Sequence, residues 1–122
     1  GAPAPLQRAG AEAIRLPEKF YQELEKEYIE RRAYMLETLD MAGFDYFKPQ
    51  GAYYAFSNIE KFGFENDVEL TRHLVEKVGV AVVPGSSFFK DQKLGRKYIR
   101  FCFSRKRETL KAARDRLVEF KK

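Results

Sequence analysis

The sequence predicts an α+β domain in which a small sheet packs against helices behind one long N-terminal helix. Three observations carry that expectation. Residues 17–42 place apolar side chains at spacings of three and four. Residues 98–104 alternate strictly between two faces, as a strand does. Leu110, Ala113, Leu117 and Phe120 then mark a last amphipathic helix.

The long helix is the strongest local signal. Pro17 suits a first helical position, and Glu18 suits the positive end of the dipole. Phe20, Leu24, Tyr28, Met35 and Leu39, with Leu36 and Ala42 beside them, draw one stripe, and Gly43 stands just past its end. A helix over 17–42 runs about 39 Å, whereas a globule of 122 residues has a radius of gyration of about 14 Å. A helix that long suggests a further neighbour to pack against.

Shorter elements follow. Gly51 to Ser57 is rich in β-formers after Pro49 and reads as a strand. Asn66 with Glu69 resembles a capping box, and Leu70, Leu74, Val75 and Val78 continue a helical stripe to Gly79. Val80 to Val83 reads as a strand buried on both faces, turned by Pro84-Gly85. Residues 89–97 read as a mobile loop. On the strand over 98–104, Ile99, Phe101 and Phe103 face the core, leaving Tyr98, Arg100 and Cys102 on the other side.

Composition excludes several function classes. With 44% hydrophobic and 15% aromatic residues the chain can build a core, and disorder is not expected. No apolar run approaches the ~18 residues of a membrane span. Gly1-Ala2-Pro3 opens the chain with neither a basic start nor an apolar stretch, so no signal peptide is expected and a cytoplasmic location is. The missing initiator Met suggests a processed chain or a piece of a longer one.

One cysteine, Cys102, excludes an internal disulfide and a cysteine zinc cluster, and it reads as a small packed thiol. His73, the one histidine, reads as a boundary residue of its helix. Neither a phosphate loop nor a dinucleotide glycine fingerprint occurs.

Residues 1–89 carry ten basic and fourteen acidic side chains, whereas residues 90–122 carry thirteen basic and four acidic. That basic end allows a different reading, a small RNA- or anion-binding α+β module. Against it, the glycine pattern of an RNA-binding strand is absent, and Phe101 and Phe103 share the core face.

Arg100 stands out among the polar residues. A long cation between Ile99 and Phe101 on a central strand needs something to neutralise it. Its planar fork matches a carboxylate in two parallel hydrogen bonds. That carboxylate can belong to this chain or to a ligand, or the sheet face can be partly open to water.

Gly51-Ala52-Tyr53-Tyr54-Ala55-Phe56, then Val80-Ala81-Val82-Val83-Pro84-Gly85-Ser86-Ser87-Phe88, then Tyr98-Ile99-Arg100-Phe101-Cys102-Phe103-Ser104 together resemble the class I aminotransferases of pyridoxal-phosphate fold type I. Tyr28 with Arg31-Arg32 is similar to that family's interdomain helix, and Gln7 to Ile14 to the tail of its large domain. Phe89 departs from the family, which often has Gly there.

The resemblance implies that residues 1–16 are the tail of a large domain and 17–122 a C-terminal small domain. It implies pyridoxal 5'-phosphate held mainly by that large domain, outside this chain, and amino-group transfer between an amino acid and a 2-oxo acid. Arg100 then corresponds to the arginine that binds the substrate α-carboxylate, with Tyr53 and Gly51 lining the pocket. No catalytic, cofactor-binding or metal-binding residue is assigned to this chain, which alone is expected to be inactive. The implied parent is a homodimer with no membrane contact and no specific nucleic-acid partner.

Overall fold

The computed structural model describes residues 1–121. The chain divides into two compact units, residues 1–30 and the remainder from Arg31 onward.

The first unit contains helix α1, Ala4–Ile14, with no buried residue, and the start of α2, Glu18–Ala42. Helix α1 is not foreseen from the sequence as an element. Pro3 precedes it and accepts hydrogen bonds from the Leu6 and Gln7 amides at 2.9 and 3.0 Å. The Tyr21 hydroxyl donates to the Ala13 carbonyl at 2.7 Å.

Helix α2 spans nearly the range its periodicity indicates, but the stripe divides. Met35, Leu36, Leu39 and Ala42 are buried, whereas Phe20 and Leu24 remain 45% and 40% exposed. Gly43, at φ 79°, closes the helix. The Phe44 amide reaches back to the Leu39 carbonyl at 2.8 Å and the Gly43 amide to Asp40 at 3.1 Å. This is a Schellman closure, which needs the left-handed conformation that glycine adopts without strain.

The second unit holds one antiparallel sheet in the order β1-β2-β4-β3. Its strands are β1, Asp45–Phe47; β2, Tyr54–Asn58; β3, Val83–Pro84; and β4, Tyr98–Cys102. Ala55, Ile99, Phe101 and Phe103 join Leu39, Phe44, Leu70, Leu74 and Leu117 in the core. The alternation expected of residues 98–104 is therefore observed.

Three expectations are corrected. The strand expected from Gly51 begins only at Tyr54, because Gly51 to Tyr53 form a bend in which Ala52 takes φ 57°. Val80 to Val83 is not a strand buried on both faces. Val80 and Val82 are buried while Ala81 is exposed, and only Val83 and Pro84 pair, at the sheet edge, where a proline's missing N–H is tolerated. Residues 89–97 are no loose loop either, since Gln92–Gly95 form a 3-10 turn in which the Asp91 carboxylate accepts the Lys93 amide at 3.1 Å.

Helix α3, Asp67–His73, starts at Asn66, whose side chain accepts the Glu69 amide at 3.0 Å, and continues as a π-turn to Gly79. Helix α4, Arg107–Lys121, buries Leu110 and Leu117. Two arginines fasten it. Arg114 donates to the Thr38 hydroxyl and the Tyr34 carbonyl at 2.8 and 2.9 Å, and Arg116 to the Gly79 carbonyl at 2.7 Å.

Candidate functional site

The face of the sheet away from the core carries an aromatic cluster with one cation in it. Arg100 lies on β4, opposite Phe56 of β2 and Val83 of β3. Period-two alternation puts Tyr54 and Phe56 of β2 on the same face as Tyr98 and Arg100 of β4. Tyr54 is then the diagonal neighbour of Arg100, within reach of a long side chain.

The guanidinium lies between two rings. Its carbon is 3.8 Å from the Tyr54 ring centroid and 4.2 Å from that of Phe88. Phe88 in turn meets Phe56 edge-on at 5.8 Å, and Phe56 meets Tyr98 at 5.9 Å. Stacking on both sides fixes the plane of the guanidinium and leaves its rim as the direction for hydrogen bonds.

One edge of that rim, at Nε, finds no acceptor in the chain. The Nε of Arg100 is buried without a partner, and Arg100 takes part in none of the ion pairs among the described residues. Of the three readings open for Arg100, neutralisation by a carboxylate of its own chain is thereby removed. A buried donor without an acceptor is costly, and a guanidinium is the side chain whose planar fork matches a planar anion.

Of the two other expected pocket residues, only Tyr53 is seen to touch this cluster. Gly51 is exposed, with no atom near the place a Cβ would take. Tyr53 is 41% exposed and its ring lies 4.4 Å from that of Tyr54. The Tyr53 hydrogen bond holds the Tyr54 hydroxyl above its ordinary pKa, burial adds to this, and the positive charge of Arg100 opposes it. The Tyr53 carbonyl accepts the Phe103 amide at 3.0 Å, tying the bend to the end of β4.

Tyr54 and Phe88 stand inside the motifs that resemble the family, but the sequence assigns neither a role. The alternation of β2 carries a signal for Tyr54. No local signal marks Phe88, because the turn that swings it over Arg100 depends on contacts distant in sequence.

His73 and Cys102 take the roles expected of them. His73 packs between Phe64 and Phe120 at 5.1 and 5.7 Å. Cys102 sits half-buried with its Sγ 3.2 Å from the Ser104 hydroxyl. Among the described residues, clefts that Arg100 does not line include the following two. One of about 430 Å³ is bordered by Asp67, Arg72, Ser86 and Arg96, and one of about 280 Å³ by Met35, Phe101, Arg105 and Leu117. Among the described residues no helix is long and apolar enough to cross a membrane, and no cluster of His, Cys, Asp and Glu could hold a metal ion.

Comparison with known proteins sets this site in context. The profile of the family described as aminotransferase class I and II matches residues 2–117. The chain belongs to this family. It is 36% identical over 115 residues to an aspartate aminotransferase of Pyrococcus horikoshii, covering 92% of the chain and 28% of that protein. It is 37% identical over 97 residues to a probable N-acetyl-LL-diaminopimelate aminotransferase of Bacillus subtilis, covering 80% of the chain and 24% of that protein. Among solved structures, the N-succinyldiaminopimelate aminotransferase of Mycobacterium tuberculosis superposes with a TM-score of 0.85 at 29% identity, over 95% of this chain and 30% of the other. The chain thus spans between about a quarter and a third of the length of these aminotransferases.

The family implies pyridoxal phosphate. That cofactor needs a lysine amine for its aldehyde and an acidic or basic partner for its pyridine nitrogen. The residues packed on Arg100 are Tyr54 and Phe88, backed by Phe56 and Tyr98, and they provide neither. The cluster around Arg100 therefore does not fit the cofactor's ring, and what it presents is a cation held against two aromatic rings.

Proposed function

We propose that this chain is the carboxylate-binding domain of a pyridoxal-phosphate-dependent aminotransferase that moves an amino group between an amino acid and a 2-oxo acid. Arg100 receives the substrate α-carboxylate, and Tyr53 and Gly51 border the pocket. The observation that carries this reading is the Arg100 guanidinium itself, stacked between Tyr54 and Phe88 with its Nε buried and unpartnered. Two rings hold the fork in one plane before ligand arrives, so less side-chain freedom is lost on binding. Fixing the carboxylate then fixes the direction of the substrate Cα–H bond, which is a positioning contribution to rate.

Residues 1–16 are then the tail of a large domain and 17–122 the small domain. The large domain of the parent chain holds the cofactor, so this chain alone does not transaminate. The parent works as a homodimer in the cytoplasm, in amino-acid metabolism. Membership of the family along nearly the whole chain supports this reading over an RNA-binding module.

The test uses the full-length parent. Arg100→Lys keeps the positive charge and loses the planar fork. The expected outcome is a fall in kcat/KM of about tenfold to a thousandfold for an amino acid, equivalent to roughly 1.4–4 kcal/mol, with a much smaller fall for the amine that lacks the α-carboxylate. Equal falls for the two substrates, together with a large loss of melting temperature, would assign Arg100 a structural role instead.

A further inference from the structure

Phe88 reaches Arg100 from a 3-10 turn, Gly85–Phe88, that lies outside the sheet. Such a turn has free amides at its start and needs an acceptor to hold it. The acceptor comes from α3. Asp67 is 1% exposed, and its Oδ2 accepts the Ser86 amide at 2.7 Å. The Asp67 amide in turn donates to the Arg96 carbonyl at 3.1 Å. One residue therefore ties together the Gly85–Phe88 turn and the Gln92–Gly95 turn.

Between those two turns the backbones touch. A Cβ on Gly85 would overlap the Gly95 carbonyl, and one on Gly95 would overlap the Ser86 amide. Neither turn can shift far while Asp67 holds both. Phe88, three residues beyond Gly85, is carried with them.

We propose that Asp67 is a positioning residue for the Arg100 guanidinium, acting through the Ser86 amide and the Phe88 ring. The proposal rests on Arg100 being the carboxylate receptor, and extends it with a brace that touches neither substrate nor Arg100. Removing the Asp67 carboxylate frees the Ser86 amide and the turn. Phe88 then leaves one face of the guanidinium uncovered, and the fork loses its fixed plane while its charge and the second ring remain.

The test has two arms. In this chain, NMR relaxation of the Arg100 Nε–H group reads the order of the guanidinium directly. Asp67→Ala is expected to lower that order, whereas Asp67→Asn, which keeps an oxygen able to accept from Ser86, is expected to preserve it. In the full-length enzyme, Asp67→Ala is expected to raise KM for an amino acid about three- to thirtyfold while KM for the decarboxylated amine changes less than twofold. Asp67→Asn should restore the amino-acid KM to within about threefold. If Asp67→Ala fails to fold, Asp67→Ser, too short to reach Ser86 yet compatible with a first helical turn, takes its place in both arms.

Unchanged Arg100 Nε–H order in a folded Asp67→Ala or Asp67→Ser variant would overturn the proposal. Lowered order with equal effects on amino acid and amine would leave the brace standing and remove the carboxylate role of Arg100.

Discussion

Replacing Arg114 with alanine is the perturbation whose cost can be worked most fully from this structure. Arg114 is 17% exposed along its side chain and donates from Nε to Thr38, itself 2% exposed, and from Nη2 to the Tyr34 carbonyl. Its guanidinium carbon lies 3.6 Å from the Tyr34 ring centroid, and Nη2 meets Glu37 at 2.6 Å. Two hydrogen bonds from a charged donor contribute about 1.5–3 kcal/mol each. The ring contact adds about 0.5–1 kcal/mol, and ordering an arginine costs back about 2 kcal/mol. The Glu37 carboxylate, 63% exposed, adds little, because water screens a pair of that kind.

Arg114→Ala should therefore destabilise the chain by about 1.5–5 kcal/mol, while Glu37→Gln should cost under about 1 kcal/mol. Urea unfolding followed by circular dichroism at 222 nm, with the denaturant slope held common, measures both. Thr38 retains its own bond to the Tyr34 carbonyl at 2.8 Å, so the alanine variant should still unfold in one transition. A loss below about 1 kcal/mol for Arg114→Ala, or equal losses for the two variants, would refute the claim that the buried bonds rather than the surface pair fasten α4 to α2.

Three further outcomes are expected. Mixed with pyridoxal phosphate, this chain should show only free cofactor or scattered lysine adducts; a stoichiometric, borohydride-trappable adduct at one lysine with turnover of an amino acid would contradict the domain reading. Glu60 has its pKa lowered by its hydrogen bond from Lys97 and then by that from Asn58, so its contribution is present above the ordinary glutamate value near 4.3 and fades as pH falls through the lower folded value. The same bond raises Lys97, whose contribution is lost only as pH rises past its folded value above the ordinary lysine range, so Glu60→Gln should flatten the acid limb of a stability–pH curve and leave no trace there if the pair is idle. Any association of the basic residues 90–122 with RNA should be weak and fall steeply with salt, and submicromolar binding at physiological salt, lost on neutralising Lys93, Arg96 and Lys97, would favour the nucleic-acid reading.

Local pattern decided those parts of the fold in which one segment carries its own instruction. Gly43 and Gly79 end helices in left-handed conformations that their flanking stripes already mark. The alternation through Ile99, Phe101 and Phe103 assigns the two faces of β4 before any partner strand is known, and so puts Arg100 on the side away from the core. The motif order over Gly51–Phe56, Val80–Phe88 and Tyr98–Ser104 was enough to indicate the family.

What the chain could not show locally depends on contacts between distant residues. The run Val80 to Val83 has the composition of an interior strand, yet only Val83 of it pairs, at the sheet edge, and Ala81 is exposed, because position in a sheet is a property of all its strands together. Residues 89–97 look loose by composition, yet close packing of Gly95 on Gly85 and the Asp67 bridge hold their neighbours. Arg100 is the clearest division between the two. Its residue type and strand position raise the question of an anion, but only the fold brings Tyr54 from one strand and Phe88 from a turn to its two faces. Stacking of that kind requires side chains 12 and 46 residues from Arg100 in sequence to meet it within about 4 Å, a distance that no sequence period encodes.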